Sequence, residues 1–543
     1  MRKTLIGMIL AVTCPFYPMH GETGPPASHW RSALYPNDWT PEWTDPKGNF
    51  LHDFSFAGYQ RSEVRTADQS QASIRRVTDA PYFADATGQS NAAPAIQKAI
   101  NDAAAAGGGV VLIPAGRFKL EVPPGQKTAL KIQSSGIILR GEGAATQLFT
   151  RETKMRDNSL IRVAPPVASW KQSSQEPPHF LVRDSAERSR FIDLKTHTGL
   201  QKGDAIIIRS DVTLDFAKEL GMEGLWDQRL EGPHFYREIV DIDPMTGRVL
   251  VDVPLRFPLK VRDMARVHKV QAPLLEIGIE NLAFGMAEQT IPGLGENDFS
   301  QQGTAGYQSH RAFLLRFNHV QHSWIHGISS FQLPENKSPV HLLSGGIALH
   351  QVRFITVDGS ELSYPQYKGA GGNGYLFELQ NAQEVLVKNS KATGGRHNFD
   401  VKSMGSSGIV FLRCEAREGY MTTDFHMHLS QAVLFDSMRV DGDQLEARYR
   451  DYGTMKHGQT STQSVFWNTH GLRYRTGQST IVHSQQWGPG FIIGTQGPAH
   501  EVTTPGGRKT EPVDWKEGIG AGENLDPPSL YEDQLRRRLL QRW

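Results

Sequence analysis

The chain of 543 residues has only two cysteines, Cys14 and Cys414, and no apolar run long enough to cross a membrane. Two cysteines exclude a small fold held together by many disulfides. Charge of one sign is also missing: 58 Lys and Arg balance 57 Asp and Glu, the net charge is +1, and acidic and basic residues alternate along the chain. This balance excludes the charge signature of a nucleic-acid partner and of stable membrane insertion.

The first 22 residues have the pattern of a secretory signal peptide. Arg2 and Lys3 precede a short apolar stretch at residues 5–12, which is too short for a membrane-spanning helix. We therefore expect export, to the periplasm or to the medium. Removal of this segment takes Cys14 with it, so the mature chain has no intramolecular disulfide and depends on its hydrophobic core.

Residues 85–120, DATGQSNAAPAIQKAINDAAAAGGGVVLIPAGRFKL, are the most informative segment. Small and apolar residues recur at helical spacing, which predicts one apolar face: Ala95, Ile96, Ala99, Ile100 and Ala103. Ser90 or Asn91 can cap the start of this helix, and Gly107 can end it. A short buried strand at 110–113 and a turn at Pro-Ala-Gly follow.

This segment resembles the start of the pectate-lyase superfamily, and LHDFSFAGY at residues 51–59, which we predict to be a strand, resembles the segment before it. The resemblance implies an all-β right-handed parallel β-helix, with the helix closing one end, in a bacterial protein that acts on polysaccharide. The superfamily includes lyases, hydrolases, fructan-transforming enzymes and phage tailspikes. The polygalacturonase motifs are missing, and Trp324-Ile325-His326 only partly matches the calcium-dependent lyase motif, so no catalytic residue can be transferred.

The rest of the chain divides into segments by composition and pattern. Strands at 199–209 and 237–255, joined by a turn at 243–247, predict a β-rich insertion that is either structural or a wall of a cleft. A basic helix at 529–543 is predicted to cover the last coil. The predicted segments are a signal peptide (1–22), an extended arm (23–50), the start of the solenoid (51–162), the insertion (163–275), the coils with the site (276–500) and the tail (501–543).

From about residue 276 onward, short apolar segments, each followed by a polar residue, recur along the chain. Their spacing suits stacked β units, and its unevenness indicates loops of different length. Such units are too short for a helical crossover between parallel strands. The interpretation aligns six residues as equivalent positions on successive coils: Val357, Val387, Phe411, Leu434, Phe466 and Val482.

Three further segments, 396–401, 423–429 and 444–450, are expected to stack as strands of neighbouring coils. Alternation along each strand separates inward from outward side chains. Predicted inward residues include Tyr375, Phe425, Met427, Leu429 and Tyr449. His397 also has inward parity, unless its strand begins with a bulge. The predicted outward residues form one polar patch: Arg396, Asn398, Asp400, Asp424, His426, His428, Glu446, Arg448 and Arg450.

This patch suits cleavage of a uronic-acid chain by β-elimination. A cation must neutralise the sugar carboxylate, a base must remove the C5 proton, and an acid must protonate the leaving oxygen. Guanidinium groups bind carboxylates well, and histidine titrates near neutral pH. The predicted catalytic residues are Arg396, His397, Asp424, His426, His428, Arg448, Lys456 and His457. The predicted substrate-binding residues are Asn398, Asp400, Glu446, Arg450, Asp441 and Asp443.

Three alternatives use the same patch. A glycoside hydrolase would pair Asp424 with Asp441, Asp443 or Glu446. Asp424, His426 and His428 could instead bind a transition metal, and a divalent cation such as Ca²⁺ is a further option. The third alternative is a β-helix that binds glycan without cleaving it.

Overall fold

A computed structural model describes residues 29–64, 73–167, 170, 176–453, 455–507 and 510–540. The predicted signal peptide, including Cys14, lies outside these residues. Cys414 is a buried free thiol. None of the helices in the described residues combines the length and the hydropathy needed to cross a membrane.

The first part of the chain forms helix α1, Ala93–Ala105, among seven strands. The apolar face of α1 is buried, as predicted, with Ile96 and Ile100 in the core. Asn91 Oδ1 accepts a hydrogen bond from the Ala93 N–H at 3.0 Å, and Gly107 has φ +83°, which suits the end of a helix. That α1 closes the end of the solenoid stays a prediction. The strands are β1 Ile74–Arg76, β2 Thr87–Asn91, β3 Gly109–Leu112, β4 Gly116–Lys119, β5 Thr128–Ile132, β6 Ile137–Thr150 and β7 Ser159–Val163.

The next part is an antiparallel sheet, as the sequence predicts for the insertion. Its strand order is β8-β13-β10-β11-β12-β9, with helix α2, Leu214–Glu219, after β10. The predicted turn is closed by a hydrogen bond from the Gly247 N–H to the Asp243 carbonyl at 2.9 Å. The strands are β8 His179–Phe180, β9 Phe191–Asp193, β10 Ala205–Arg209, β11 His234–Ile242, β12 Arg248–Val251 and β13 Arg266–Lys269.

The remaining elements are the later coils and the tail, which includes α3, Ala305–Ser309, and α4, Leu530–Leu540. The strands are β14 Leu274–Leu275, β15 Gly278–Met286, β16 Phe313–His326, β17 Ser329–Ser330, β18 Gly345–Asp358, β19 Glu361–Ser363, β20 Tyr375–Gln380, β21 Leu386–Lys388, β22 Lys391–Thr393, β23 His397–Lys402, β24 Val410–Leu412, β25 Glu415–Arg417, β26 Thr423–Phe425, β27 Ser430–Gln431, β28 Leu434–Asp436, β29 Arg439–Asp443, β30 Leu445–Ala447, β31 Ser461–Thr462, β32 Val465–Tyr474, β33 Val482–Ser484, β34 Phe491–Gln496, β35 Val502–Thr503 and β36 Trp515–Glu517.

Parallel pairing arranges these strands in three sheets, and long strands bend from one sheet into the next. Sheet 1 has the order β5-β7-β16-β18-β20-β23-β26-β30-β33-β35. Sheet 2 has the order β1-β3-β6-β15-β16-β18-β21-β24-β28-β32-β34-β36. Sheet 3 has the order β2-β4-β6-β15-β17-β19-β22-β25-β29-β32. The fold is therefore the predicted all-β right-handed parallel β-helix with a β-rich insertion.

Aromatic side chains stack along the interior of the solenoid. Phe411 and Phe435 have ring centroids 4.8 Å apart, and Phe435 and Phe466 follow at 5.3 Å. The predicted alignment holds from Val357 through Val387 to Phe411. It is wrong at Leu434, because the register partner of Phe411 is Phe435. It is also wrong at Val482, which lies in sheet 1, where it pairs with Leu445.

Residues 51–59 and helix α4 cover the outer face of sheet 2. Residues 51–59 form no strand, contrary to the prediction, because their apolar side chains pack flat on this sheet. Leu51 and Phe54 share a cluster there with Leu434 and Trp467. Helix α4 lies along the same face, where the Tyr531 N–H donates to Asp436 at 2.8 Å. The C-terminal helix therefore runs along the side of several coils, whereas the sequence suggested a cover over the last one.

Buried charges fix the insertion to the coils. Arg256 donates to both oxygens of Glu384, at 3.2 and 2.9 Å, and both side chains are almost fully buried. Arg353 on β18 pairs with Asp252 at 2.7 Å. The apolar core of the insertion also includes Leu429, next to sheet 1. These contacts hold the insertion against sheet 1, where it forms one side of a cleft.

Candidate active site

A cleft with a volume of about 1130 Å³ lies on the outer face of sheet 1. Its floor consists of β20, β23, β26, β30 and β33, so it extends over five successive strands. The turns before these strands form one wall, with Arg396, Met421 and Gln444. The opposite wall contains His457 and Leu230, the latter from the insertion. Of the two interpretations of the insertion, the cleft wall is the one that the structure supports.

A three-residue pattern repeats along the floor. Four carboxylates are register partners on successive strands: Glu378, Asp400, Asp424 and Glu446. The next residue on each strand packs into the solenoid core: Leu379, Val401, Phe425 and Ala447. Two residues after each carboxylate comes a side chain that lines the cleft: Gln380, Lys402, His426 and Arg448. Alternate residues share one face of a strand, so the carboxylates form one column and the cleft-lining side chains form a second column, in which His426 stands between Lys402 and Arg448.

Asp424 lies close to one arginine and two histidines. Its Oδ2 lies 2.6 Å from Arg450 Nη1 and 3.4 Å from His426 Nδ1, and its Oδ1 lies 3.2 Å from His397 Nδ1. Burial alone would raise the pKa of Asp424, but His397 and Arg450 outweigh it and hold the pKa below its ordinary value. Asp424 is therefore a permanent anion beneath the cleft.

Lys402 connects the next two carboxylates. Its Nζ lies 2.9 Å from Glu378 and 3.3 Å from Asp400. Glu378 also accepts from His350 at 2.6 Å and from Arg311 at 3.1 Å, and the charges of Arg311 and Lys402, helped by the His350 hydrogen bond, overcome burial and keep its pKa well below the ordinary value. Burial, only partly offset by Lys402, raises the pKa of Asp400 well above its ordinary value. Glu378 is thus ionised, and Asp400 favours its protonated form.

Tyr375 and His426 contact each other in the cleft, next to these carboxylates. Tyr375 Oη lies 3.3 Å from His426 Nε2. The predicted inward parity of Tyr375 is wrong, because Leu376 and Phe377 both pack into the core and the alternation changes phase before them. Burial raises the pKa of Tyr375 well above 10, helped by Asp400 and Asp424. Burial also lowers the pKa of His426 to about 3. At neutral pH the phenol is protonated and the imidazole is neutral.

Glu446 binds two arginines at one oxygen, Arg448 Nε and Arg450 Nη2, both at 2.9 Å. Arg450 is 3% exposed, whereas Arg448 is 44% exposed and free to reach a ligand in the cleft. Arg396 makes a bidentate pair with Glu296, at 2.9 and 2.8 Å, which fixes a loop over the edge of the cleft. His397 lines the floor and has only 4% of its surface exposed.

Four predicted residues lie away from the cleft. Asn398 and Asp443 point to the interior, where Asn398 Nδ2 donates to Asp443 Oδ2 at 2.7 Å. The outward parity predicted for Asn398 is wrong because Asn398 and Phe399 are two consecutive inward residues, and Asp443, predicted to lie in a loop over the patch, is the last residue of β29. Asp441 is on sheet 3 and pairs with Arg473 at 2.9 Å. Lys456 points towards Asp451, with 3.6 Å between the charged groups, and does not line the cleft.

The predicted strand 423–429 is too long. It ends at Phe425, and the chain turns at His428 and Leu429, which both have positive φ. Met427 therefore lines the cleft, Leu429 packs on the insertion, and Tyr449 packs beside it. The His428 ring packs on Trp226 of the insertion, with centroids 5.9 Å apart.

Because of this turn, His428 does not lie with Asp424 and His426, the other two residues of the predicted metal site. Among the described residues, His397, Asp424 and His426 are the set whose donor atoms lie within 4.8 Å of one another, and His428 is not in it. These donors do not fit Ca²⁺, which prefers six to eight oxygen ligands. The Arg450 guanidinium, at 2.6 Å from Asp424, already supplies the positive charge that a transition metal would bring.

The sequence-based prediction missed several residues of the cleft. Lys402 lies beyond the predicted end of its strand, and the recurrence of a basic residue type two positions after Asp400, Asp424 and Glu446 was the signal that could have revealed it. Arg311, His350 and Glu296 come from distant coils or loops, and no local pattern indicates their position. Further missed lining residues are Gln380, Gln444, Tyr452, Arg475, Gln478 and His483.

No known protein family matches the sequence, and no curated protein does either. Among solved structures, the chain is similar to the tailspike gp61 of Pseudomonas phage phi297, with 11% identity over 78% of this chain and 69% of the tailspike and a TM-score of 0.41. DFA-IIIase from Arthrobacter chlorophenolicus A6 matches with 9% identity over 78% of this chain and 79% of the enzyme, TM-score 0.41. An exopolygalacturonase from Thermotoga maritima matches with 10% identity over 81% and 90%, TM-score 0.34. Likenesses this low carry no information about activity.

Proposed function

We propose that this protein is an exported polysaccharide lyase that cleaves a uronic-acid-containing glycan by β-elimination. The observation that carries the proposal is the contact of 3.3 Å between Tyr375 Oη and His426 Nε2 in a cleft lined by cations. A neutral imidazole and a protonated phenol side by side have the protonation states that a general base and a general acid need at neutral pH.

In the proposed reaction, His426 Nε2 removes the C5 proton of a uronate residue. The C4–O4 bond breaks, a C4–C5 double bond forms, and Tyr375 gives its proton to the leaving O4. No water is consumed in this step, and the proton on His426 then returns the phenolate to a phenol. Asp424 favours a proton on His426 Nδ1, which leaves the lone pair on Nε2.

Arg448 and Lys402 neutralise negative charge in the proposed reaction. Removal of the C5 proton is easier when the neighbouring carboxylate is neutralised. Arg448 is exposed in the cleft next to His426 and suits that carboxylate through its fork of donors. Lys402, with Nζ 4.7 Å from the centre of the Tyr375 ring, stabilises the phenolate that forms after proton donation.

A glycoside hydrolase is the second candidate, supported by the opposite pKa shifts of Asp400 and Asp424 on neighbouring strands. An acid with a raised pKa beside an ionised carboxylate is the pair that hydrolysis requires. Against it, both carboxylates are fully buried beneath Lys402 and His426, and Asp424 is held by three cationic or imidazole partners.

The experiment is incubation of the mature protein with uronic-acid and neutral polysaccharides, with ultraviolet absorbance and reducing ends measured in the same samples. We expect both signals to rise together on a uronate polymer, since elimination creates a conjugated double bond at each cut. Reducing ends without absorbance would establish hydrolysis instead. Binding of glycan with neither signal would identify a non-catalytic binding protein.

A further inference from the structure

Arg475 lies in the wall of the cleft and has no part in the proposed chemistry. It belongs to a turn after β32 that is closed by the Gln478 N–H donating to the Arg475 carbonyl at 2.9 Å. Its guanidinium donates to the carbonyls of Gly419 at 3.3 Å and Tyr420 at 2.5 Å. Within the described residues, no carboxylate lies within ion-pair distance of Arg475, so its charge is balanced by carbonyl dipoles alone.

The other arginines of the cleft differ from Arg475 in this respect. Each is bound to a carboxylate: Arg311 to Glu378, Arg396 to Glu296, and Arg448 and Arg450 to Glu446. An arginine held in place by backbone carbonyls, with its charge unmatched, is suited to an anionic ligand.

Arg475 lies at the far side of the cleft from His426. Its guanidinium contacts the turn before β26, whereas His426 directly follows the end of β26. The three residues of β26 lie between these two points, and a strand rises about 3.3 Å per residue, so the two groups are separated by roughly 10 Å along the strand. This distance exceeds one sugar ring, and a carboxylate on Arg475 must belong to a different sugar from the one that loses its proton at His426.

We propose that Arg475, with the neighbouring amide of Gln478, forms a second carboxylate-binding site, and that the substrate is therefore a polyuronate with acidic groups on several sugars. This inference rests on the proposed function and names the substrate class of the same cleft. Six cations line the cleft, whereas the ionised carboxylates that pair with them are Glu296, Glu378, Asp424 and Glu446, so positive charge is in excess, which is consistent with a polyanion.

The test is calorimetric titration with saturated homo-oligouronates of increasing length and with their carboxyl-reduced forms, on the inactive His426→Ala protein. We expect affinity to rise with length until the oligomer reaches Arg475, and Arg475→Gln to remove that last gain, about tenfold for a charge-assisted contact. The control is Arg473→Gln, two residues away, whose side chain pairs with Asp441 outside the cleft and should retain the gain.

The inference is overturned if Arg475→Gln and Arg473→Gln keep the same length dependence, if carboxyl-reduced oligomers bind equally well, or if no oligouronate binds. The outcome is separate from that of the proposed function. Suppose that binding depends on the carboxylates and is weakened by Arg475→Gln, but that the wild-type protein makes no unsaturated product. This result would refute the lyase activity and support the polyuronate-binding site. Formation of unsaturated product by the wild-type protein, together with no effect of Arg475→Gln on the titration, would support the lyase activity and refute the binding site at Arg475.

Discussion

Tyr375 and His426 are 51 residues apart in the chain, yet the phenol oxygen of one lies 3.3 Å from Nε2 of the other. They belong to β20 and to the end of β26, and β23 runs between these two strands. The stacking of coils therefore creates an acid–base pair that neither segment carries alone. The predictions below test this pair and the charges that hold it.

Replacement of either member of the pair should abolish turnover in a folded protein. We expect His426→Ala and Tyr375→Phe each to lower kcat about 10²- to 10⁴-fold, the usual contribution of a general base or acid. Steady-state kinetics measure the loss, and circular dichroism checks the fold. The controls His500→Ala and Tyr364→Phe lie outside the cleft and should keep wild-type kcat. An active His426→Ala protein would refute the assignment.

Two cations that the sequence places together should behave differently. Arg448 lines the cleft, whereas Lys456 points to Asp451, so Arg448→Ala should raise KM about tenfold and Lys456→Ala should change it less than twofold. Initial rates over a range of substrate concentrations separate KM from kcat. Equal effects of the two substitutions would mean that the loop with Lys456 closes over the substrate.

Stability should fall between pH 6.5 and 4 because of buried histidines. Burial lowers the pKa of His428 to about 4 and that of His426 to about 3. In this window the unfolded chain binds protons that the folded chain does not, so the free energy of unfolding falls as the pH is lowered, by about 1.4 kcal/mol per pH unit for each histidine. Urea unfolding at several pH values measures the slope. His428→Gln should reduce it by one proton, and an unchanged slope would contradict the pKa direction.

Chelators should leave activity unchanged. Arg450 already occupies the charge position at Asp424 that a cation would take, and two imidazoles with one carboxylate do not suit Ca²⁺. The measurement is the initial rate before and after exhaustive treatment with EDTA, followed by addition of Ca²⁺ or Zn²⁺. Loss of activity that one of these ions restores would show that His397, Asp424 and His426 bind metal after all.

Removal of Glu384 should loosen the insertion. Glu384→Ala leaves the buried Arg256 without its partner, which costs about 3–5 kcal/mol. Urea unfolding should show this loss, whereas Asp102→Ala, which breaks the exposed pair with Lys98, should leave the free energy of unfolding almost unchanged. Similar small effects of both substitutions would mean that the interface between insertion and coils contributes little to stability.

Much of the fold could be predicted from the sequence, because it depends on local patterns. The face of α1, the glycine after it and the stacked phenylalanines all leave a periodic signal. The phase of each short strand could not be predicted. Two consecutive inward residues, such as Leu376 and Phe377, reverse the parity of every residue before them.

The candidate site was predicted in part for the same reason. His426, Arg448 and Glu446 follow simple alternation and were placed in the cleft. Tyr375 lies before a change of phase and was assigned to the core. Glu296 and Arg475 come from loops whose path depends on tertiary contacts, and no spacing in the sequence indicates where they lie.

The most direct test of the account is the fate of the C5 hydrogen. A polyuronate labelled with deuterium at C5 should be cut more slowly than the unlabelled polymer, and the sugar at each new non-reducing end should have lost its deuterium. Mass spectrometry of the products measures both label and unsaturation. Products that keep the deuterium and have gained a water molecule would contradict β-elimination and show that the cleft hydrolyses its substrate.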